Sequence, residues 1–287
     1  MVAESPMCDL AERAARRALQ GSLPSDLVDE LIENKLAHEP QLRPLFDEMS
    51  DEEARLHFGP EEPLEGRHLR SSVRYFHAWR LQVLRERLGS RLADARILDV
   101  GDTDGLLLKH LGKPGLGFNL APSAVDHIRA NGVEAVCGDG QRLPFDDGSF
   151  DCVFCFETLE HVESPAQLLE ELARVCARGG RVFVSIPWVP RTFIHPRDPR
   201  IPRGYAHVFE FARADFGALV SHTPLRIRWE TVCDLIGPPS RPAQRAFLLA
   251  TRRSHLLAGM FRRFQFFELE LQGDAEGVSL GDDGVPR

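Results

Sequence analysis

The feature that most narrows the fold is a change of period. After Gly89, apolar runs of strand length alternate with helical stretches, the pattern of a parallel sheet covered by helices on both faces. The strands predicted are Arg96–Val100, Gly115–Asn119, Glu134–Cys137, Phe150–Phe156 and Arg181–Pro187, with helices at 104–111, 122–131 and 164–177 between them. Ser123 and Ser164-Pro165 suit helix starts, because a hydroxyl accepts from an orphan amide and proline tolerates the first turn. Gly179-Gly180 offers a stop. A short helix near Asp215–Ser221 and strand-like runs at Leu225–Leu235 and Arg245–Thr251 could complete the sheet, after an irregular, proline- and arginine-rich excursion at Pro187–Tyr205. Before Gly89 the period is helical throughout, with Leu10, Ala14, Ala18, Leu27, Leu31 and Leu36 recurring and Pro24, Pro40 and Pro60 as breaks. The class is therefore α/β, a doubly wound sheet with an N-terminal helical cap.

At 287 residues the chain suits one such core with an appendage. Its net charge of -8 argues against bulk attraction to nucleic acid or an anionic membrane and favours a small-molecule partner. Glu4, Asp9 and Glu12 interrupt the apolar run that a signal peptide needs, and no later segment reaches membrane-spanning length, so a cytoplasmic protein is expected. Six cysteines then read as free thiols. Cys152 and Cys155 form a C-x-x-C, but inside an apolar run and without a second ligand pair, which favours buried strand residues over zinc or redox chemistry.

The chemistry concentrates where the strands end. Ile97-Leu-Asp-Val-Gly-Asp-Thr-Asp-Gly105 runs an apolar strand into a glycine turn and a helix, the place where open α/β sheets bind ligands. Asn119 closes the second strand, where dinucleotide folds put a ribose-binding acid, and Gly138-Asp139 closes the third. A pyrophosphate cofactor is disfavoured, because a G-x-G-x-x-G reading from Gly101 puts Thr103 and Leu106 at the other two glycines and acids where phosphates would lie.

These segments, with Leu143-Pro-Phe145, Cys155-Phe-Glu-Thr-Leu-Glu-His-Val162 and Glu171-Leu-Ala-Arg-Val-Cys-Ala-Arg-Gly-Gly180, stand in the order of the motifs of class I S-adenosylmethionine-dependent methyltransferases. The chain resembles that family, in its small-molecule subgroup, over residues 94–190 and weakly over His207–Leu219. The resemblance implies a methyltransferase-type Rossmann core at 90–255; the helical period before Gly89 makes residues 1–89 a helical cap through which a homodimer could form, and 256–287 is left as an extension. In the extension Leu256–Leu271 is apolar enough to pack, and the glycine- and acid-rich tail beyond Gly273 is expected to be disordered. It implies S-adenosylmethionine as cofactor, with Asp99, Gly101 and Gly105 facing the methionine part, Asn119 the ribose, Asp139 the adenine amine, and Phe156 also in contact. Carboxylates suit a sulfonium cation, and an acceptor-only acid suits an amino donor. Two departures stand out: Asp102-Thr103-Asp104 where the first motif has a further glycine, and Asn119 in place of an acid.

Glu157-x-x-Glu160-His161 puts three polar groups on one turn beside the expected methyl group, and Glu160 and His161 are the candidate catalytic residues, His161 as a general base or positioning group. Some relatives hold a divalent metal with such a cluster and a further histidine, here His207. A Glu–His pair capping a turn is the plainer account, and the metal question stays open at this point. Arg191, Arg197, Arg200 and Arg203 read as solvated charges before an anionic-acceptor site, and Phe209, Phe211 and Phe216 as core. The function expected is methyl transfer to a small-molecule acceptor. The alternatives are a non-catalytic, partner-binding relative, or a metal-assisted hydroxyl methylase acting on a small molecule or RNA.

Overall fold

Residues 25–195, 206–234 and 262–273 are described in the computed structural model of the chain. Among the described residues four helices come first: α1 (Ser25–His38), α2 (Leu42–Glu48), α3 (Asp51–Arg55) and the long α4 (Arg67–Leu88). α3 opens on a capping box in which Ser50 Oγ accepts from Glu53 N–H while Ser50 N–H donates to Glu53 Oε2. Then follow β1 (Ile97–Val100), α5 (Leu106–Leu111), β2 (Gly115–Asn119), α6 (Pro122–Ala130), β3 (Glu134–Cys137), β4 (Phe150–Phe156), α7 (Pro165–Val175) and β5 (Cys176–Pro187). The short β6 (Phe193–Ile194) and β7 (Phe209–Glu210) form a separate ribbon, before α8 (Arg213–Ser221), β8 (Leu225–Asp234) and β9 (Arg262–Leu271).

The seven-stranded sheet has the order β3-β2-β1-β4-β5-β9-β8. β1 to β5 run parallel, and β9 is antiparallel to both of its neighbours. Both faces are buried, and successive residues feed opposite cores. Ile97, Phe154, Phe183 and Phe266 pack with the cap helices, while Leu98, Val153, Val182 and Phe267 pack under α7 and α8. Each fully buried Leu or Phe contributes about 1.5–3 kcal/mol relative to exposure, so neither face is spare.

Three predicted strands, β2, β3 and β4, match the structure to the residue. β9, which falls in the segment expected to be an extension, lies inside the sheet. Its alternation Phe264-Gln-Phe-Phe-Glu-Leu-Glu-Leu271 is broken by acids that would ordinarily face water. Here Glu268 and Glu270 are buried and ion-paired to Arg87, Arg181, Arg226 and Arg228. The predicted strand Arg245–Thr251, Cys8, the first helical turns, the tail beyond Gly273 and Arg197, Arg200 and Arg203 fall outside the described residues. Among the described residues no helix is long and apolar enough to cross a membrane.

Candidate functional site

The chain leaves β1 toward β2 on one side and reaches β4 on the other. The crevice at the carboxyl ends of β1 and β4 is thus the topological switch point of the sheet. Gly101 turns there with φ of 90°, and a Cβ on it would lie 2.0 Å from Thr158 Oγ1. Gly105, φ 72°, starts α5, wedged against Ile128 and Val133. Only glycine fits both conformation and space at these points.

Between them the residues that depart from the family pattern rebuild the loop. Asp102 Oδ1 accepts from the N–H groups of Asp104 (3.1 Å) and Gly105 (2.8 Å). Asn119 Nδ2 donates to the Asp102 carbonyl at 2.7 Å, and its Oδ1 accepts from Ala121 N–H at 2.8 Å. Asp104 divides its carboxylate: Oδ1 accepts from Leu106 N–H at 3.0 Å, and Oδ2 lies 2.6 Å from His57 Nδ1. The sequence reading assigned Asn119 to the ribose; its amide here joins β2 to the loop. Asp139 caps a 3-10 turn, with Oδ1 accepting from Gln141 N–H at 2.9 Å, and remains exposed. Phe156 ends β4 half-buried, stacked between Phe154 and Phe266.

Charge in the crevice is lopsided. Asp99, 4% exposed, shares the cap-facing side of β1 with Ile97. Burial and the neighbouring Asp102 raise its pKa well above the usual carboxylate range. Burial and Asp104 also raise that of Asp102, whose Oδ2 has no hydrogen-bond partner. Asp104 moves down despite its burial, because His57 sits against it. The cation that answers Asp99 is Arg80 of α4, a residue the sequence reading missed. Its guanidinium lies over the rings of Phe156 (5.3 Å) and Phe264 (4.8 Å), with Nε buried and unpartnered. The available signal was a charge three residues beyond His77 on the stripe of α4 that buries Tyr75, Ala78, Leu81 and Leu84.

At the end of β4 the chain turns sharply. Glu157 takes a left-handed φ of 47° and accepts from Ser185 Oγ at 2.7 Å. Glu160 follows in a 3-10 turn, 1% exposed, and neither carboxylate oxygen has a hydrogen-bond partner. Burial and the adjacent Glu157 push its pKa well up. His161 Nδ1 donates to the Ala206 carbonyl at 3.2 Å, which leaves Nε2 with the lone pair, and burial beside His207 lowers its pKa. His207 stands edge-on to His161 with ring centroids 4.8 Å apart, and its Nδ1 donates to Glu210 Oε1 at 2.8 Å. One ligand atom each from Glu160, His161 and His207 fit within 4.8 Å of one another. The structure thus brings together the predicted Glu160, His161 and His207, and adds Glu210.

Cys152 and Cys155 are buried strand thiols, with burial driving Cys152 up to about 12 and Cys155 well up, far from thiolate reactivity. Phe211 and Phe216 are core, and Phe209 stacks on Phe211 at the edge. Arg191 lies over Phe193.

Residues 98–184 match the family described as "Methyltransferase domain". The ubiquinone biosynthesis O-methyltransferase of Xanthomonas oryzae pv. oryzae is 32% identical over 201 residues, 64% of this chain and 79% of the relative. That of Xanthomonas euvesicatoria pv. vesicatoria is 36% identical over 137 residues, 44% of this chain and 53% of the relative. Geranyl diphosphate C-methyltransferase from Streptomyces coelicolor A3(2), solved with Mg2+, geranyl diphosphate and S-adenosyl-L-homocysteine, superposes with a TM-score of 0.50. Its identity is 16%, over 76% of this chain and 86% of that one. With the switch-point crevice, its buried acids and an aligned relative covering four fifths of its own length, the chain belongs to the class I S-adenosylmethionine-dependent methyltransferases.

Proposed function

We propose that the chain methylates a hydroxyl oxygen of a small-molecule acceptor seated at the end of β4. The observation that carries this reading is the Glu160–His161–His207 group: a buried carboxyl with both oxygens unspent, beside a neutral imidazole with a free Nε2. A hydroxyl is a poor nucleophile until it loses its proton, so an oxygen acceptor needs such a group more than an amine does. The 32% identical Xanthomonas relative, named for O-methylation, supports the same atom.

The cofactor side fits its ligand on this structure's own terms. Asp99 and Asp102 are short of positive charge, Asp102 Oδ2 is orphaned, and Arg80 brings unspent donors. S-adenosylmethionine, when bound, supplies an electrophilic methyl on a cationic sulfur. Asp99 would face the ammonium and sulfonium end and Arg80 the carboxylate; Gly101 and Gly105 keep the backbone close, and Asp139 would accept from the adenine amine. At the other wall Glu160 and His207 would orient the acceptor and His161 Nε2 take its hydroxyl proton, the carbon–oxygen bond replacing the methyl–sulfur bond and S-adenosylhomocysteine leaving as the neutral thioether. Alignment of the two reactants contributes much of the rate.

A divalent cation held by Glu160, His161 and His207 is a second reading, favoured by the orphaned Glu160 oxygens. The donor set, one carboxylate with two imidazoles, suits a borderline metal, which would lower the pKa of the acceptor hydroxyl. Activity lost on chelation and restored by one added metal, with elemental analysis giving one ion per chain, would establish it. Methylation of a panel of phenols, alcohols and amines, followed as S-adenosylhomocysteine release, tests the first reading; turnover only on amines would overturn it.

The domain limits carry over as a proposal of cap and core, with the core extended to β9. A homodimer through the cap draws no support from an open apolar stripe, since Leu31, Ile32, Leu36 and Leu42 are buried within the chain. A cytoplasmic site of action belongs to the same reading.

A further inference from the structure

The cap does more than cover an apolar face, for it touches the cofactor loop through two imidazoles. His57, in the turn after α3, reaches Asp104 Oδ2 at 2.6 Å. That carboxylate also accepts from Leu106 N–H, so one side chain both caps α5 and holds the cap. On α4, His77 Nε2 lies 2.7 Å from His110 Nδ1 of α5, with the rings edge to face at 4.9 Å and both buried. A third tie runs from Glu53 of α3 to Lys109 of α5 at 2.9 Å. All three fix cap helices to the short helix that begins at the glycine turn.

Arg80 lies one turn beyond His77 on α4. Its Nε is buried without a hydrogen-bond partner, and its guanidinium lies over two ring faces. Five donors on a long side chain are useful for recognition only if their helix stands at a fixed distance from the loop that binds the ligand. We infer that His57 and His77 are positioning residues: through Asp104 and His110 they set the cap, and with it Arg80, at the distance needed to hold the carboxylate of the cofactor. The inference rests on the reading of Arg80 given above.

Two ligands separate the possibilities. S-adenosylhomocysteine carries the amino-acid carboxylate, and 5′-methylthioadenosine has the nucleoside and sulfur without it. Calorimetric titration of the full chain with each is compared across variants. Arg80→Gln is expected to weaken S-adenosylhomocysteine about 30-fold and 5′-methylthioadenosine less than about twofold. His57→Ala and His77→Phe are expected to reproduce the selective loss at about tenfold, and to add nothing selective in an Arg80→Gln background. Asp104→Asn keeps most of the selectivity, because its amide can still accept from Leu106 N–H and donate to the other tautomer of His57.

If Arg80→Gln weakens both ligands equally or neither, the carboxylate reading itself fails. If Arg80→Gln is selective but His57→Ala and His77→Phe weaken both ligands alike, or leave both unchanged, the positioning role is overturned while the reading of Arg80 stands. Melting temperatures for each variant identify any that fail to fold, and the partly exposed His57→Ala, the milder of the two cap variants, then decides the matter through its ligand ratio.

Discussion

The two walls of the crevice treat their acids in opposite ways. On the β1 side Asp102 and Asp104 are spent on local work, gathering three backbone N–H groups and His57. On the β4 side Glu160 is as deeply buried and holds nothing. Burying an unsatisfied carboxyl costs more than most single contacts return, so a fold that keeps one has a use for it beyond stability. Departure from a family motif is therefore a poor guide to lost function here. The irregular loop is satisfied but for Asp102 Oδ2, and the residue that matches the motif is the one with both carboxylate oxygens unspent.

The sharpest way to break this contrast is Glu160→Gln. It should lower kcat about 100-fold or more while S-adenosylhomocysteine binds as before; a loss of cofactor affinity instead would mean that the walls are not separable. Glu160→Leu should be equally inactive yet raise the melting temperature by several degrees, on the order of 1–3 kcal/mol, as the unpaired group is removed. Gly101→Ala attacks the other wall, where a positive φ and a 2.0 Å approach to Thr158 coincide. A stability loss of about 2–4 kcal/mol in denaturant titration is expected, with cofactor binding abolished.

A smaller effect should come from pH. Burial, with His110 and Arg80 nearby, lowers His77 from the ordinary 6.5 to about 3, against a weaker pull from Asp104. A histidine whose folded pKa is depressed is buried neutral, so its contribution is present above 6.5 and declines as the pH falls through the window from 6.5 to about 3, with a slope near 1.4 kcal/mol per unit. His77→Phe should remove that part of the slope; an unchanged pH profile would show that the cap is not closed around His77. Smallest is Asp139→Ala. Loss of the turn cap alone costs about 1 kcal/mol, and a further fall of about tenfold in S-adenosylhomocysteine affinity is expected if the adenine amine is read there.

Much of the fold was legible because parallel strands buried on both faces are continuous apolar runs, and Phe150–Phe156 could scarcely be anything else. β9 was not, since Glu268 and Glu270 look solvent-bound until the arginines of α4, β5 and β8 are assembled around them. The site divides in the same way. Glu160, His161 and His207 could be listed from motif spacing, and the structure gathers them. Arg80, His57 and His77 could not, because nothing local ties the period of a helical cap to a glycine turn some twenty-five to fifty residues on. Asp102 and Asn119 were visible as departures, but that each answers the other through one 2.7 Å bond is a tertiary fact.

The place of β9 also governs when this enzyme can come into being. It lies between β5 and β8 and supplies Phe264 and Phe266 to the core beneath the cap, including one of the two rings under Arg80. Pairing it with β5 closes a loop of roughly eighty residues, a slow search compared with forming α4 or the β1–β2 unit. Until residues 262–271 leave the ribosome the core beneath the cap lacks Phe264 and Phe266, and Arg80 lacks one of its two rings, so a nascent chain carrying every recognised motif should bind cofactor poorly. Stalled chains ending before and after that strand would time the onset of binding.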